Sequence, residues 1–138
     1  MKILLGGSVS FAKEQLEIKK KLEQKGHTVV VTDDLNHYVE APSIKNSFEE
    51  EVKLSKEYDI MRNFFNKIAE CDAFLVCNYE KKKIKGYLGT SVLMEIGLAY
   101  HLKKKTYLLY DYDRTQNYAV EIAIIEPTIL NGDLTKID

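Results

Sequence analysis

Five short runs of β-prone, almost wholly apolar residues recur along this chain: "KILL" from Lys2, "TVVV" from Thr28, "AFLVC" from Ala73, "TYLLY" from Thr106 and "TIL" from Thr128. A strand with one face in water alternates apolar and polar residues; these runs have no wet face. Each is separated from the next by a stretch long enough for a helix, and that pattern predicts a parallel sheet covered by helices on both sides. The expected architecture is a three-layer, doubly wound α/β fold, Rossmann-like or flavodoxin-like, with five mainly parallel strands in the order 2-1-3-4-5. That order places a switch point between strands one and three, and ligands of such sheets bind in the crevice outside the carboxyl ends there.

The connecting stretches are uneven. "SFAKEQLEIKKKLEQKG" carries Leu16, Ile18 and Leu22 at helical spacing and stops at Gly26. Leu35 to Asn46 holds one of the two prolines and little periodicity, which predicts a loop, and Ser47 to Glu70 reads as one or two charged helices. Tyr79 to Gly89 is a basic, glycine-bounded loop, Gly89 to Leu102 a short apolar helix, and "TQNYAVEIAIIE" a last helix before the terminal strand.

At 138 residues the whole chain, 1–138, is expected to form one domain with a real core. Twenty basic residues against twenty-one acidic ones advertise neither nucleic acid nor a membrane surface as partner. The apolar runs are too short to span a bilayer or to serve as a signal-peptide core, so the expected location is cytoplasmic. Cys71 and Cys77 flank one strand and are read as reduced core residues. His27, His37 and His101 stand singly, without metal-ligand spacing, so neither a metal nor another cofactor is expected.

Within "GTSVLMEIGLAYHL" one carboxylate, Glu95, is set among Val92, Leu93, Met94, Ile96, Leu98 and Ala99. A surface glutamate on a helix usually has a basic residue three or four positions on, but here those positions are Leu98 and Ala99. It is not the distal member of a capping box either, since Val92 occupies the position that would need Ser or Thr. Two readings remain: a partly buried acid tied to a distant group, or a desolvated carboxylate poised beside a ligand.

The predicted strand order brings two loops to the crevice, Gly6 to Ser10 and Asn78 to Ser91. Candidate ligand contacts are therefore Gly6, Gly7, Ser8, Asn78, Tyr79, Gly89 and Ser91, with Glu95 one turn into the helix beyond. The "GGSVS" turn feeds a helix amino terminus, where free N–H groups favour an anion. It is not a dinucleotide fingerprint, although Asp33 and Asp34 end strand two where a ribose-binding acid would sit. Lys81, Lys82, Lys83 and Lys85 form either a solvated face or a flexible lid whose lysines meet a phosphate while Tyr79 and Tyr87 stack on a ring.

The pattern Gly89-Thr90-Ser91 followed by Glu95-Ile96-Gly97-Leu98-Ala99-Tyr100, after a "CDAFLV" strand and before "KKKTYLLY", resembles the nucleoside 2-deoxyribosyltransferase family and its nucleotide N-glycosidase relatives. The resemblance implies a Rossmann-like fold, a nucleoside or nucleotide in the crevice, a homo-oligomer, and the role of nucleophile for Glu95. It also matches Gly7 and Ser8 to a turn that helps hold a phosphate in the nucleotide-cleaving relatives. The chain departs from the pattern at two supporting carboxylates: six residues before Glu95 it has Gly89, and eight before Asp72 it has Phe64. Asp59 or a residue of a neighbouring subunit is a possible substitute. The resemblance thus implies N-glycosyl transfer or hydrolysis on a nucleoside or its 5′-monophosphate. The alternatives are a nucleotide-binding or sensing module of the same fold without turnover and, more distantly, a nicotinamide or flavin enzyme.

Overall fold

Each of the five apolar runs contributes a strand: β1 (Lys2–Gly6), β2 (Thr28–Val30), β3 (Ala73–Val76), β4 (Lys105–Leu108) and β5 (Thr128–Ile129). They are seen in a computed structural model that describes residues 1–33, 35–40 and 47–138, and of residues 37, 38 and 40 the backbone alone. The strands form one sheet in the order β2-β1-β3-β4-β5 with every pairing parallel. The chain reverses direction across the sheet between β1 and β3, as the sequence predicts.

Among the described residues there are six α-helices: α1 (Ala12–Gln24), α2 (Leu35–Glu40), α3 (Phe48–Glu57), α4 (Ile60–Glu70), α5 (Thr90–His101) and α6 (Ala119–Ile125). Successive strand side chains point to opposite faces, so Ile3 and Leu5 join Ala73, Leu75 and α1's Ile18 and Leu22 in one core layer. Leu4, Phe74 and Val76 join Phe64 and Ile68 of α4, Val92, Ile96 and Ala99 of α5, and Ile122 of α6 in the other. Both faces are sealed, which is why the runs lack polar positions. Cys71 and Cys77 are free and buried at the two ends of β3. Burial raises both thiols, that of Cys77 to about 12, so neither supplies a thiolate near neutral pH.

Two connections differ from expectation. Leu35–Glu40, predicted as loop, is a helix, anchored by the buried Leu35 and too short to display a period; the rest of that predicted loop, 41–46, lies outside the described residues, as does Asp34. The charged stretch after it is two helices, within the one or two expected. Ser47 is the N-cap of α3, its Oγ accepting from Glu50 N at 3.2 Å and donating to Glu50 Oε1 at 3.0 Å, and the helix ends where Asp59 takes a left-handed φ of 49°. The last helix begins at Ala119 rather than Thr115, because Asp113 Oδ1 accepts from both Thr115 N (2.8 Å) and Thr115 Oγ1 (2.7 Å) and winds the preceding residues into a turn. No helix among the described residues is long and apolar enough to cross a membrane.

Candidate active site

Outside the carboxyl ends of β1 and β2, beneath α3 and α4 and beside the first turns of α5, the chain encloses a cavity of about 780 Å³. This is the size of a small-molecule site. Its position follows from how α5 is laid down. Val92, Ile96 and Ala99 recur at i, i+4 and i+7 and are buried against the sheet. Ser91, Met94 and Glu95 then fall on the neighbouring face, and all three line the cavity together with Gly6 and Gly7.

Glu95 has neither a hydrogen bond nor an ion pair among the described residues. Burial alone pushes its carboxyl from 4.5 up to about 8. The same feature that makes it odd in the sequence, a carboxylate without a local cation, makes it odd in space. Desolvation disfavours the charged form, and no positive neighbour restores it.

The other sequence candidates divide. Gly6 and Gly7 line the cavity, and each also has a packing reason to be glycine. A Cβ on Gly6 would stand 2.5 Å from the Phe74 ring, and one on Gly7, whose φ is +123°, 2.8 Å from Cys77 O. Ser8 does not line the cavity: it caps the short 3₁₀ turn Val9–Phe11, its Oγ accepting from Ser10 N (3.2 Å) and from Lys81 Nζ (2.8 Å). That turn stands between "GGS" and α1, so the first full helix starts only at Ala12.

Asn78 and Tyr79 stand at the end of β3, where the crevice is expected, but both face scaffold. Asn78 is 2 % exposed; its Nδ2 donates to Tyr110 O (2.7 Å) and, more weakly, to Gly86 O (3.4 Å), while Oδ1 accepts from Tyr110 N (2.9 Å). The Tyr79 ring lies between Phe11 and Tyr110, with centroids 5.2 and 5.8 Å away. Gly89 is the N-cap of α5 and lies outside the cavity lining. The basic loop is knitted down rather than hung as a lid. Lys81 and Ile84 exchange backbone hydrogen bonds of 3.1 and 2.9 Å, Gly86 packs on Asp111, the Lys82 ammonium lies over the Tyr87 ring 5.7 Å from its centroid, and Lys83 and Lys85 are exposed. None of the four loop lysines lines the cavity.

Several cavity residues escaped the sequence reading because they come from parts that read as ordinary charged helix or strand end. Gln15 is buried and holds the glycine turn through Nε2 to Ser8 O (3.0 Å). Thr32 follows β2, and Lys67 on α4 pairs across 3.2 Å with Asp33, the strand-end acid that the sequence does single out. Phe64, at one of the two positions where the family resemblance leads one to look for a carboxylate, is a wall residue set edge-on to Phe74 with centroids 6.0 Å apart. Asp59, a possible substitute, is exposed at the start of α4, 4.0 Å from Arg62, and is not in the lining. A second hollow of about 430 Å³ lies at the opposite, amino end of β4 among Lys103, Lys104 and Lys105, away from Glu95. Among the described residues no group of three or more His, Cys, Asp or Glu is placed to hold a metal ion.

No protein-family model matches the chain, and no curated protein matches it in sequence. Among solved structures it is similar to that of the Clostridium botulinum CMP N-glycosidase BcmB, with a TM-score of 0.47 and 19 % identity over 94 % of this chain and 85 % of that one.

Proposed function

We propose that this chain cleaves or transfers the N-glycosidic bond of a nucleoside or nucleoside 5′-monophosphate, with Glu95 as the nucleophile. One observation carries the reading. A carboxyl without a partner among the described residues, raised to about 8, stands in the wall of a ligand-sized cavity at the switch point of a doubly wound sheet. The family resemblance of the α5 sequence supplies the reaction class.

In this scheme a Glu95 oxygen forms a bond to the anomeric carbon as the C–N bond breaks. The electron pair leaves on the base nitrogen, which takes a proton. Water, or the nitrogen of a second base, then attacks the same carbon, loses its proton and releases the carboxylate. The transition state is oxocarbenium-like, and positive charge developing on the sugar favours the ionised carboxylate that burial in the cavity wall disfavours.

The direction of the pH dependence follows. The nucleophile is the ionised form, and in the free protein that form dominates only above about pH 8. The value of kcat/KM for base release is therefore expected to climb through neutrality and level off near pH 8 to 9. A descending limb with the same midpoint would make Glu95 a general acid instead. The first test is a panel of ribo- and deoxyribonucleosides and their 5′-monophosphates, scored for free base with and without an acceptor base. The second reading, a binding module without turnover, is favoured by Phe64 and Gly89 at the positions of the two supporting carboxylates. It predicts thermal stabilisation by the same ligands with no base released.

A further inference from the structure

Cleavage of a neutral nucleoside asks two things of a site: a carboxylate for the anomeric carbon and a proton for the departing base nitrogen. The cavity supplies the first in Glu95. A source of the second is missing among the described residues. No histidine or cysteine of theirs lines the cavity. Lys67 is held by Asp33 across 3.2 Å, and Asp33 itself is 87 % exposed. Glu51, on the exposed helix α3, has an interaction of its own. Phe64 offers a ring where a carboxyl is sought. Glu95 cannot serve twice in one step, because the oxygen that attacks the sugar must already have lost its proton.

The lining also has a sign. Among the described residues three carboxyls, those of Asp33, Glu51 and Glu95, stand against the one ammonium of Lys67. Tyr58, Phe64 and Phe65 contribute aromatic rings to the same wall, and Met61 and Met94 thioethers. Rings beside an excess of carboxyls suit a flat organic cation. The ring faces attract it through their quadrupoles, and a desolvated carboxylate gains the positive neighbour it lacks. A neutral ligand leaves Glu95 without one.

We infer that the cavity takes N-ribosides whose base is already a cation, a pyridinium ring or an N7-alkylated purine, and expels that base as a neutral molecule without a proton donor. The inference rests on the glycosyl reading above and names its leaving group. A Glu95 oxygen bonds to the anomeric carbon while the electron pair of the C–N bond returns to the ring and cancels its charge. Water then attacks the same carbon, gives its proton to solvent and frees the carboxylate. No base anion forms at any point. Without a donor, a neutral nucleoside would have to separate an anionic base from a cationic sugar in a poorly solvated wall, where separating charge is least favourable. With a cationic base the positive charge only moves, from the ring toward the sugar and the attacking carboxylate.

The test has a binding arm and a turnover arm. 1-Methylnicotinamide and nicotinamide differ by one methyl group and one charge and contain no glycosidic bond, so calorimetry on the wild-type protein reads the preference without turnover. The cation is expected to bind roughly 10-fold more tightly, and Glu95→Gln to abolish the difference. For turnover, nicotinamide riboside and 7-methylguanosine are compared with their neutral counterparts, dihydronicotinamide riboside and guanosine. Each rate is divided by the uncatalysed rate in the same buffer, which removes the intrinsic weakness of the cationic bonds. The acceleration is expected to be on the order of 100-fold greater for the cationic pair, since a neutral base forgoes what a general acid contributes. Equal acceleration of charged and neutral ribosides, or equal binding of the two nicotinamides, would overturn the inference and leave the glycosyl reading standing. No base released from these ribosides or from the panel of nucleosides and monophosphates would overturn the glycosyl reading, and the leaving-group inference with it.

Discussion

Replacing Glu95 by glutamine is expected to lower base release by on the order of 10⁴-fold or more, as loss of a nucleophile does, and at the same time to make the protein more stable. The second half of the expectation has a pH signature. In the unfolded chain the carboxyl ionises near 4.5, whereas in the cavity burial holds it protonated to about 8. One pH unit of displacement is worth about 1.4 kcal/mol, so ionising Glu95 in place is roughly 4–5 kcal/mol less favourable than in the unfolded chain. Any water that enters the open cavity reduces that figure. The sign is fixed by linkage. Between the two values the unfolded state has released a proton that the folded state retains, so the wild-type protein loses stability as pH rises from about 4.5 to 8 and levels off above. Glutamine has no such proton, and the stability gap between variant and wild type should open from near zero at pH 4 to its maximum above pH 8. Thermal melts of both proteins across that range, beside base release and a mass search for a sugar adduct on Glu95, check all three parts. A glutamine variant that is less stable at pH 8 would mean that Glu95 is tied to a cation after all, and that its role is to hold the fold.

The strands and the unusual carboxylate were readable from the chain for one common reason: each is a local conflict or agreement visible within a few residues. A fully apolar run of four or five residues between helix-length segments has few homes other than a doubly covered parallel strand. A glutamate with Leu98 and Ala99 where a lysine would belong has no local explanation on its helix. What was not readable is whatever depends on two distant segments meeting. The cavity roof is α3 and α4, whose charged sequence reads as solvated surface. Yet Lys67 reaches Asp33, 34 positions away, and Phe64 packs edge-on to Phe74. The same applies to the loop after β3. Its lysines and tyrosines look like ligand chemistry in the sequence, but Lys81 is taken by Ser8 and Tyr79 by Phe11 and Tyr110. An amide or an ammonium names what a residue can bond, and only the fold decides to what.

Asn78 illustrates that distinction and carries the second large expectation. It lies at the carboxyl edge of the sheet, where a ligand contact would be sought, yet its amide joins three strangers in the chain: the end of β3, Gly86 of the basic loop, and Tyr110 just past β4. Asn78→Ala is expected to cost roughly 3–5 kcal/mol, since the Tyr110 N–H and C=O lose their buried partner at once and each such group costs about 1–3 kcal/mol when left unsatisfied. Asn78→Asp should be no better. It keeps the acceptor for Tyr110 N but turns a donor into a carboxylate oxygen facing two carbonyls. Gly86→Ala should break the same clasp from the other side, because Gly86 has a φ of +63° and a Cβ there would run into Asp111 O. The two alanine changes act on one contact, so their effects are expected to fall short of additive when combined. If Asn78 were instead a ligand contact, Asn78→Ala would melt like wild type and raise KM. The clasp predicts the reverse: a large drop in melting temperature and, in the protein that remains folded well below it, little change in KM.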